Sequence, residues 1–573
     1  MSVVRFSAWF IRQLIQSLPG VGIALGTLFF AAALTPTLVP RTYLMQGALA
    51  GGCFAIGYAT GTLLRWLWYY LELPGPPART RFPINVLVAG VCLFIGIVFL
   101  RRATEWQNSI RAAMEMEPVD TAHPLEVCAI ALITFIALLI LARLFRLATR
   151  FLSARLRPFV PRRVANVVGV LVAILLVWSI SSNLVIRSIF NMLDSSFQEF
   201  DALFEPERPQ PADPEKTGGA ASLVRWEELG RTGRGFVASG PTAERIGAFT
   251  GRPAREPVRV YVGLRGADTP QARARLALEE LKRQHGFDRS ILIVITPTGT
   301  GWVDPAAMDT VEYLHDGDVA SVAVQYSYLN SMLSLLFQPE YGAVAARALF
   351  TEIYQYWTTL PKDRRPKLYL YGLSLGAMNS EQSVELLETI GDPIAGALWC
   401  GPPFESRLWR TMTDNRNAGS PAWLPEVRDG RFVRFMNQNG STVPADAPWG
   451  PTRVVYLQYA SDPITFFSYQ AAYRRPSWMV EPRGPDVSSD LRWYPVVTML
   501  QLVVDMMVAM TTPMGYGHVY APAHHVDAWV AVTDVRDRRP EELIRLKHHL
   551  SDVAKAARAG VNGNIDPYDD RGG

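Results

Sequence analysis

The chain of 573 residues holds only four cysteines, Cys53, Cys92, Cys128 and Cys400, and eight histidines. Three of the cysteines fall inside apolar runs and the fourth in an expected strand, so neither a disulfide framework nor a metal knuckle is written here, and the thiols read as core residues. A surplus of charge of one sign is also missing. The formal net charge is +4, and much of the basic excess lies in the first third, so the chain carries no signal for nucleic-acid binding. No internal repeat is evident. The glycine-bearing run Arg231-Thr232-Gly233-Arg234-Gly235-Phe236 lacks the Gly-Lys-Ser/Thr ending of a phosphate loop.

What is present divides the chain in two. Hydrophobic residues make up 49% of the whole, but their long runs all precede about residue 190. Five segments, 18–39, 44–64, 84–100, 125–142 and 164–186, are long enough, or nearly so, to cross a hydrocarbon core about 30 Å thick. They predict a transmembrane domain over residues 1–190. Arginine far outnumbers lysine in its connectors and is unevenly placed. Arg5 and Arg12, then Arg65, Arg79 and Arg81, then the run of seven from Arg143 to Arg163 fall on one side. The other side has Arg41 alone, and Arg101, Arg102 and Arg111 diluted by acids. Because cytoplasmic loops gather basic residues, the N-terminus belongs inside and everything after Ile186 outside the cytoplasm. This predicts an integral membrane protein with its first segment an uncleaved span. The run 143–163 reads as a topology signal, with a lipid-headgroup or partner site as its alternative.

Residues 191–255 read as a linker and juxtadomain segment, with Pro206, Pro209, Pro211 and Pro214 close together. From 256 to 560 strands and helices alternate. Strands are expected at 258–264, 290–296, 319–326, 367–371, 395–400 and 453–459, and helices at 270–284, 341–358 and 378–390, which argues for a mostly parallel sheet covered on both faces. Residues 561–573 read as a disordered tail.

The strand at 367–371 runs into Gly372-Leu373-Ser374-Leu375-Gly376 and then a helix. A G-x-S-x-G pentapeptide alone is a weak signal, and an ordinary turn is its alternative. Strand, tight turn and helix together make it a nucleophile elbow, in which a serine projects above the sheet and glycines let neighbouring backbone pass. Such a serine needs a base and an orienting carboxylate, in the chain order Ser, Asp or Glu, His. Asp462, just past the strand at 453–459, is the acid, with an Asx turn before Pro463 as the alternative. Of the histidines, His518 in Gly515-Tyr516-Gly517-His518-Val519-Tyr520 is the favoured base, with His524 and His525 as alternatives. Adjacent histidines on a loop with Asp527 lack the one-face spacing of a metal motif, so no metal or other cofactor is expected. The oxyanion donors are expected to be the backbone N–H of Leu375 and that of Thr298, from the loop at 296–302. The apolar stretch 496–510 is too short for a span and carries Gln501 and Asp505. Crossing the bilayer there would also separate His518 from Ser374, so a core or lid helix is expected, with an interfacial helix as alternative.

Several of these stretches together resemble the bacterial membrane-anchored α/β-hydrolase family 9. They are 258–264 (Val-Arg-Val-Tyr-Val-Gly-Leu), 296–304 (Thr-Pro-Thr-Gly-Thr-Gly-Trp-Val-Asp), 325–329 (Gln-Tyr-Ser-Tyr-Leu), 372–376, 397–403 (Ala-Leu-Trp-Cys-Gly-Pro-Pro), 456–463 (Tyr-Leu-Gln-Tyr-Ala-Ser-Asp-Pro) and 517–520 (Gly-His-Val-Tyr). The resemblance implies an N-terminal all-α transmembrane bundle of about five spans followed by an α/β-hydrolase domain, with Ser374, Asp462 and His518 as its triad. Where members commonly carry an acid before the serine, this chain has Leu373. The combined expectation is a serine hydrolase acting on an ester of a lipid or lipid-linked substrate, with membrane lipids as its partners. Acyl transfer to a lipid or glycan hydroxyl is one alternative. The other is an idle hydrolase fold on a transport or assembly protein.

Overall fold

The computed structural model describes residues 20–75, 77–156, 209–329 and 339–561, with scattered positions between them (158, 161, 164, 168–172, 175, 201 and 334). Most of the expected span at 164–186 lies outside the described residues, as do Arg5, Arg12 and the tail beyond Val561. The chain forms two compact units. One comprises residues 1–188, 467–480 and 485–512, and the other residues 189–466, 481–484 and 513–573.

The N-terminal unit is helical. Its described elements are α1 (Gly20–Ala33), α2 (Tyr43–Tyr70), α3 (Ala78–Ala113) and α4 (Pro124–Leu156). Among the described residues three helices are long and apolar enough to cross a membrane, Tyr43–Tyr70, Phe82–Ala113 and Pro124–Arg155. α1 ends at Ala33 rather than continuing to Val39, the end of the span expected there. α1 and α4 pack on α2 through missing side chains. A Cβ on Gly61 would stand 2.6 Å from the Val21 carbonyl, and one on Gly51 2.4 Å from the Ala131 carbonyl. Small residues at such crossings let helix backbones approach where no water drives them together. On α3, by contrast, Leu87, Leu93 and Phe94 are each about two-thirds exposed, a face that hydrocarbon would cover.

The stretches 467–480 and 485–512 fold with this unit, although in sequence they interrupt the hydrolase region 256–560. The helix Val497–Met507 is neither a span nor part of the hydrolase core. Its buried stripe contains Val497, Thr498, Gln501, Leu502 and Asp505, the i, i+4 spacing of one helix face. Val497 joins the apolar cluster of Phe30, Leu34, Leu49 and Val127. The two polar members of the stripe find polar partners there. Gln501 Nε2 donates toward the carbonyls of Ala32, Ala33 and Thr35 at 3.2–3.4 Å, at and just past the C-terminal end of α1. Asp505 accepts from Arg41 Nε at 2.7 Å, Thr37 Oγ1 at 3.1 Å and the Leu38 N–H at 3.1 Å.

The second unit holds a seven-stranded sheet: β1 (Val258–Val262), β2 (Ile291–Thr296), β3 (Val319–Val324), β4 (Lys367–Leu373), β5 (Gly396–Cys400), β6 (Val433–Met436) and β7 (Arg453–Leu457). Its order is β1-β3-β2-β4-β5-β7-β6 and every neighbouring pair is parallel. Strands buried on both faces read as continuous apolar runs, and β1 to β3 are buried along their whole length. β6 was not anticipated; it is a four-residue edge strand, Val-Arg-Phe-Met, whose Arg434 stacks 3.9 Å over the Trp449 ring. Ser222 to Thr250, which carries no clear pattern, forms a 3₁₀ turn and the helices Gly230–Ala238 and Ala243–Thr250. From β2 the chain moves to β3 on one side, and from β4 to β5 on the other. The C-terminal ends of β2 and β4 therefore flank a topological switch point, where sheets of this kind open a crevice.

Candidate active site

Ser374 follows β4 at that switch point and caps the helix Leu375–Ser383. Its backbone sits at φ 57°, ψ −125°, a region a non-glycine residue enters only when its surroundings impose it. The surroundings are two glycines. A Cβ on Gly372 would lie 2.4 Å from the Gly376 carbonyl carbon, and one on Gly376 2.2 Å from the Thr296 carbonyl oxygen at the end of β2. The Ser374 N–H donates to the Cys400 carbonyl at 2.9 Å, pinning the turn to β5. Leu375 opens the helix, so its N–H has no acceptor within it and lies at the positive end of the helix dipole.

Thr298 does not serve as its sequence position implied. Its N–H donates to the Trp302 carbonyl at 3.0 Å, closing a turn in which the Gly301 N–H returns to the Thr298 carbonyl at 2.9 Å. The loop is held further by Tyr261, whose hydroxyl donates to the Gly301 carbonyl at 2.8 Å, and by Gln325 Nε2, which donates to the Thr300 carbonyl at 3.1 Å. In this conformation the Thr298 amide is committed within its own loop.

Asp462 is completely buried, and its two oxygens have different tasks. Oδ1 accepts from the Ile464 N–H at 2.9 Å and the Thr465 N–H at 3.4 Å, an Asx turn leading into Pro463–Phe466. Oδ2 accepts from His518 Nδ1 at 2.7 Å, Tyr520 Oη at 2.8 Å and Thr465 Oγ1 at 3.3 Å. One oxygen closes an Asx turn and the other faces the imidazole.

His518 is 6% exposed. Its loop is positioned by the Gly515 N–H, donating to the Val519 carbonyl at 2.8 Å, and the Gly517 N–H, donating to Ser461 Oγ at 2.9 Å. With Nδ1 on the carboxylate, the other ring nitrogen, Nε2, is buried with no hydrogen-bond partner among the described residues. The ring lies against the end of β5, where a Cβ on Gly401 would come within 2.8 Å of Cε1. Gly401 directly follows Cys400, whose carbonyl holds the Ser374 amide. The imidazole thus stands over the strand end next to the elbow.

His524 and His525 sit on the helix Pro522–Thr533, not on a loop. His524 Nδ1 bonds Tyr459 Oη at 2.6 Å, and His525 is fully buried with Nδ1 at 3.1 Å from the Ala521 carbonyl and Nε2 at 3.5 Å from Cys400 Sγ. Burial pushes the two down to about 4 and about 3. Asp527 turns to Lys547 at 2.6 Å, so the three do not converge. Among the described residues no group of three or more His, Cys, Asp or Glu side chains is arranged to hold a metal ion. A cavity of about 540 Å³ in this unit is bounded by Thr300, Trp302, Phe236, Tyr328 and Leu550, with neither Ser374 nor His518 in its wall.

Sequence reasoning missed Tyr520. Its hydroxyl shares Oδ2 with His518, and its ring stacks on Tyr459 at 4.6 Å. Burial and the adjacent carboxylate hold its phenol well above the ordinary value, so it remains a donor. The residue stands inside the Gly-His-Val-Tyr stretch; a hydroxyl two positions from the histidine was the available signal.

A parallel sheet with a serine elbow at its switch point defines the α/β-hydrolase class. The comparisons agree: the model described as the alpha/beta-hydrolase family matches residues 258–546, and that described as the family's N-terminus matches residues 34–241. The chain belongs to α/β-hydrolase family 9. Searches of curated proteins and of solved structures gave no match.

Proposed function

We propose that the protein is a membrane-anchored serine hydrolase that cleaves an ester of a lipid or lipid-linked substrate, with Ser374 as nucleophile, His518 as base and Asp462 as the orienting acid. The observation that carries this reading is the buried Asp462–His518 pair with Nε2 left unpartnered, its ring packed against Gly401, the residue after the Cys400 whose carbonyl holds the amide of the strained Ser374. With Nδ1–H held by the carboxylate, Nε2 is the basic nitrogen. Ser374 Oγ attacks the ester carbonyl as its proton passes to Nε2, and Asp462 stabilises the imidazolium. The Leu375 N–H at the helix N-terminus supports the oxyanion. Collapse expels the alcohol, which takes the proton from His518. Water then repeats the sequence on the acyl-enzyme and releases the acid.

The substrate class is supported by chain connectivity. Five residues after Asp462 the chain enters the unit that carries the apolar helices and, apart from residues 481–484, stays with it until five residues before His518. A site bracketed in this way stays near a bilayer, which raises the effective concentration of amphiphilic esters. The uneven arginines support an extracytoplasmic position.

Labelling of intact membranes with a fluorophosphonate probe tests the reading. The parent chain is expected to label, and Ser374→Ala and His518→Ala are expected not to. A folded parent that does not label overturns it.

A further inference from the structure

The helix Val497–Met507 is built inside out. Its buried stripe holds Thr498, Gln501 and Asp505, the three polar residues of the helix, while the side facing away is apolar throughout. Met499, Val503, Met506 and Met507 follow the i, i+4, i+7, i+8 spacing of one stripe. Val503 is 37% and Met507 60% exposed, and Met499 and Met506 are half-buried. A helix at a water-facing surface carries its polar residues outward. Here each of them turns inward to a fixed partner: Thr498 Oγ1 accepts from the Tyr494 N–H at 2.8 Å, Gln501 reaches the end of α1, and Asp505 takes Arg41 Nε at 2.7 Å.

The same contacts give the helix its depth. Gln501 and Asp505 meet residues 32–41, which run from the end of α1 almost to the start of α2. Leu500 and Val504 pack on the cluster of Phe30, Leu34, Leu49 and Val127, as do Phe99, Trp106 and Tyr494. Ser488 Oγ lies 2.7 Å from Ser109 Oγ, near the C-terminal end of α3. The start of α2 is about 33 Å from Arg65 at about 1.5 Å of rise per residue, which is about one hydrocarbon thickness. The helix therefore sits where the apolar helices end, away from the arginine-rich connectors, among the Trp and Tyr side chains typical of a membrane interface. With 11 residues it is too short to cross.

We propose that this helix is a monotopic membrane element, its stripe of Met499, Val503, Met506 and Met507 seated among the acyl chains of the leaflet opposite the arginine-rich connectors. Methionine suits the role, because its unbranched, polarizable side chain adapts to irregular neighbours. The proposal rests on the membrane reading of α2, α3 and α4, and it is independent of the chemistry at Ser374.

The test places a nitroxide at Met499→Cys, Val503→Cys or Met507→Cys in the full-length chain, reconstituted in phosphatidylcholine vesicles. Cys92→Ser and Cys128→Ser remove the two thiols that are not buried. Oxygen concentrates in hydrocarbon and a polar nickel chelate stays in water, so the ratio of their collisions with the label reads its surroundings. Leu93→Cys on the exposed face of α3 is the lipid reference, and Glu279→Cys on the helix Pro270–Arg283 is the water reference. The ratio at the stripe is expected to lie several-fold above that at Glu279→Cys and close to that at Leu93→Cys. A water-like ratio there, beside a lipid-like Leu93→Cys, overturns the proposal. Few collisions with either reagent means that protein covers the stripe, from a second copy or another part of the chain, and overturns it too. A water-like ratio at Leu93→Cys overturns the membrane reading itself, a separate failure. Melting temperatures identify any labelled chain that fails to fold, and the unsubstituted chain supplies a second measurement. With a phosphatidylcholine that carries a diazirine on its acyl chain, the peptide holding Met499 to Met507 is expected to crosslink. Crosslinks on α3 without any on that peptide overturn the proposal.

Discussion

Asp462 and Asp505 lie 43 residues apart, both completely buried, both paired with a nitrogen at 2.7 Å, and they are put to different uses. Asp505 faces a permanent cation. Arg41 is itself enclosed, with Nη1 on Gln46 Oε1 at 3.0 Å, Nη2 on Thr37 Oγ1 and its backbone N–H on Gln107 Oε1 at 3.2 Å. Everything around that pair serves to hold it, and nothing in it changes charge during a reaction. Asp462 faces an imidazole, and the far nitrogen of that imidazole is buried with no hydrogen-bond partner among the described residues. A buried ion pair whose groups are all mutually engaged is a clamp between segments. A buried carboxylate–imidazole pair that ends in an unpartnered nitrogen is, on the proposed reading, a relay.

The same substitution at both positions tests that distinction. Asp462→Asn keeps the shape and a hydrogen bond but turns the histidine to the wrong tautomer. The rate of fluorophosphonate labelling is expected to fall about 10⁴-fold, with the melting temperature little changed. Asp505→Asn leaves a buried guanidinium uncompensated, and a loss of about 3–5 kcal/mol is expected in the stability of the N-terminal unit. It reads out as earlier thermal melting of the full chain in detergent, while the labelling rate of molecules that remain folded stays at the parent value. If Asp505→Asn slowed labelling as Asp462→Asn does, the clamp and the relay would not be separable. If it left melting unchanged, the clamp would carry no stability.

The residues of the proposed relay stand out in the sequence far more than those of the clamp. Ser374, Asp462 and His518 each announce themselves locally, through a pentapeptide between strand and helix, an acid just past a strand and glycines before a histidine. The order of the three is set by the fold class. The parallel sheet was legible for the same reason, since doubly buried strands are apolar throughout and only the short edge strand β6 escapes. The clamp left two unexplained residues instead. Arg41 stood alone in its connector, and Asp505 sat in an otherwise apolar helix. Their pairing spans 464 positions, and no local pattern encodes it. Thr298 failed for a related reason: the loop's position after β2 was readable, but whether its amide points to the site or closes its own turn depends on Gly301 and Trp302.

The smallest expected effect separates the parts of the relay. Tyr520 and His518 donate to the same oxygen, Oδ2 of Asp462. Removing the phenol with Tyr520→Phe keeps the ring, and therefore the stack on Tyr459, while the carboxylate loses one of its donors. A hydrogen bond to a charged group of this kind is worth about 1.5–3 kcal/mol, but Thr465 Oγ1 and His518 remain on Oδ2, so the lower end applies and a labelling rate about 10-fold below the parent is expected. A fall that approaches that of Asp462→Asn would mean that the tyrosine, rather than the Asx turn at Oδ1, holds the carboxylate in place. No change would assign Tyr520 to the packing of the His518 loop, and Oδ2 would then need only the imidazole to do its work.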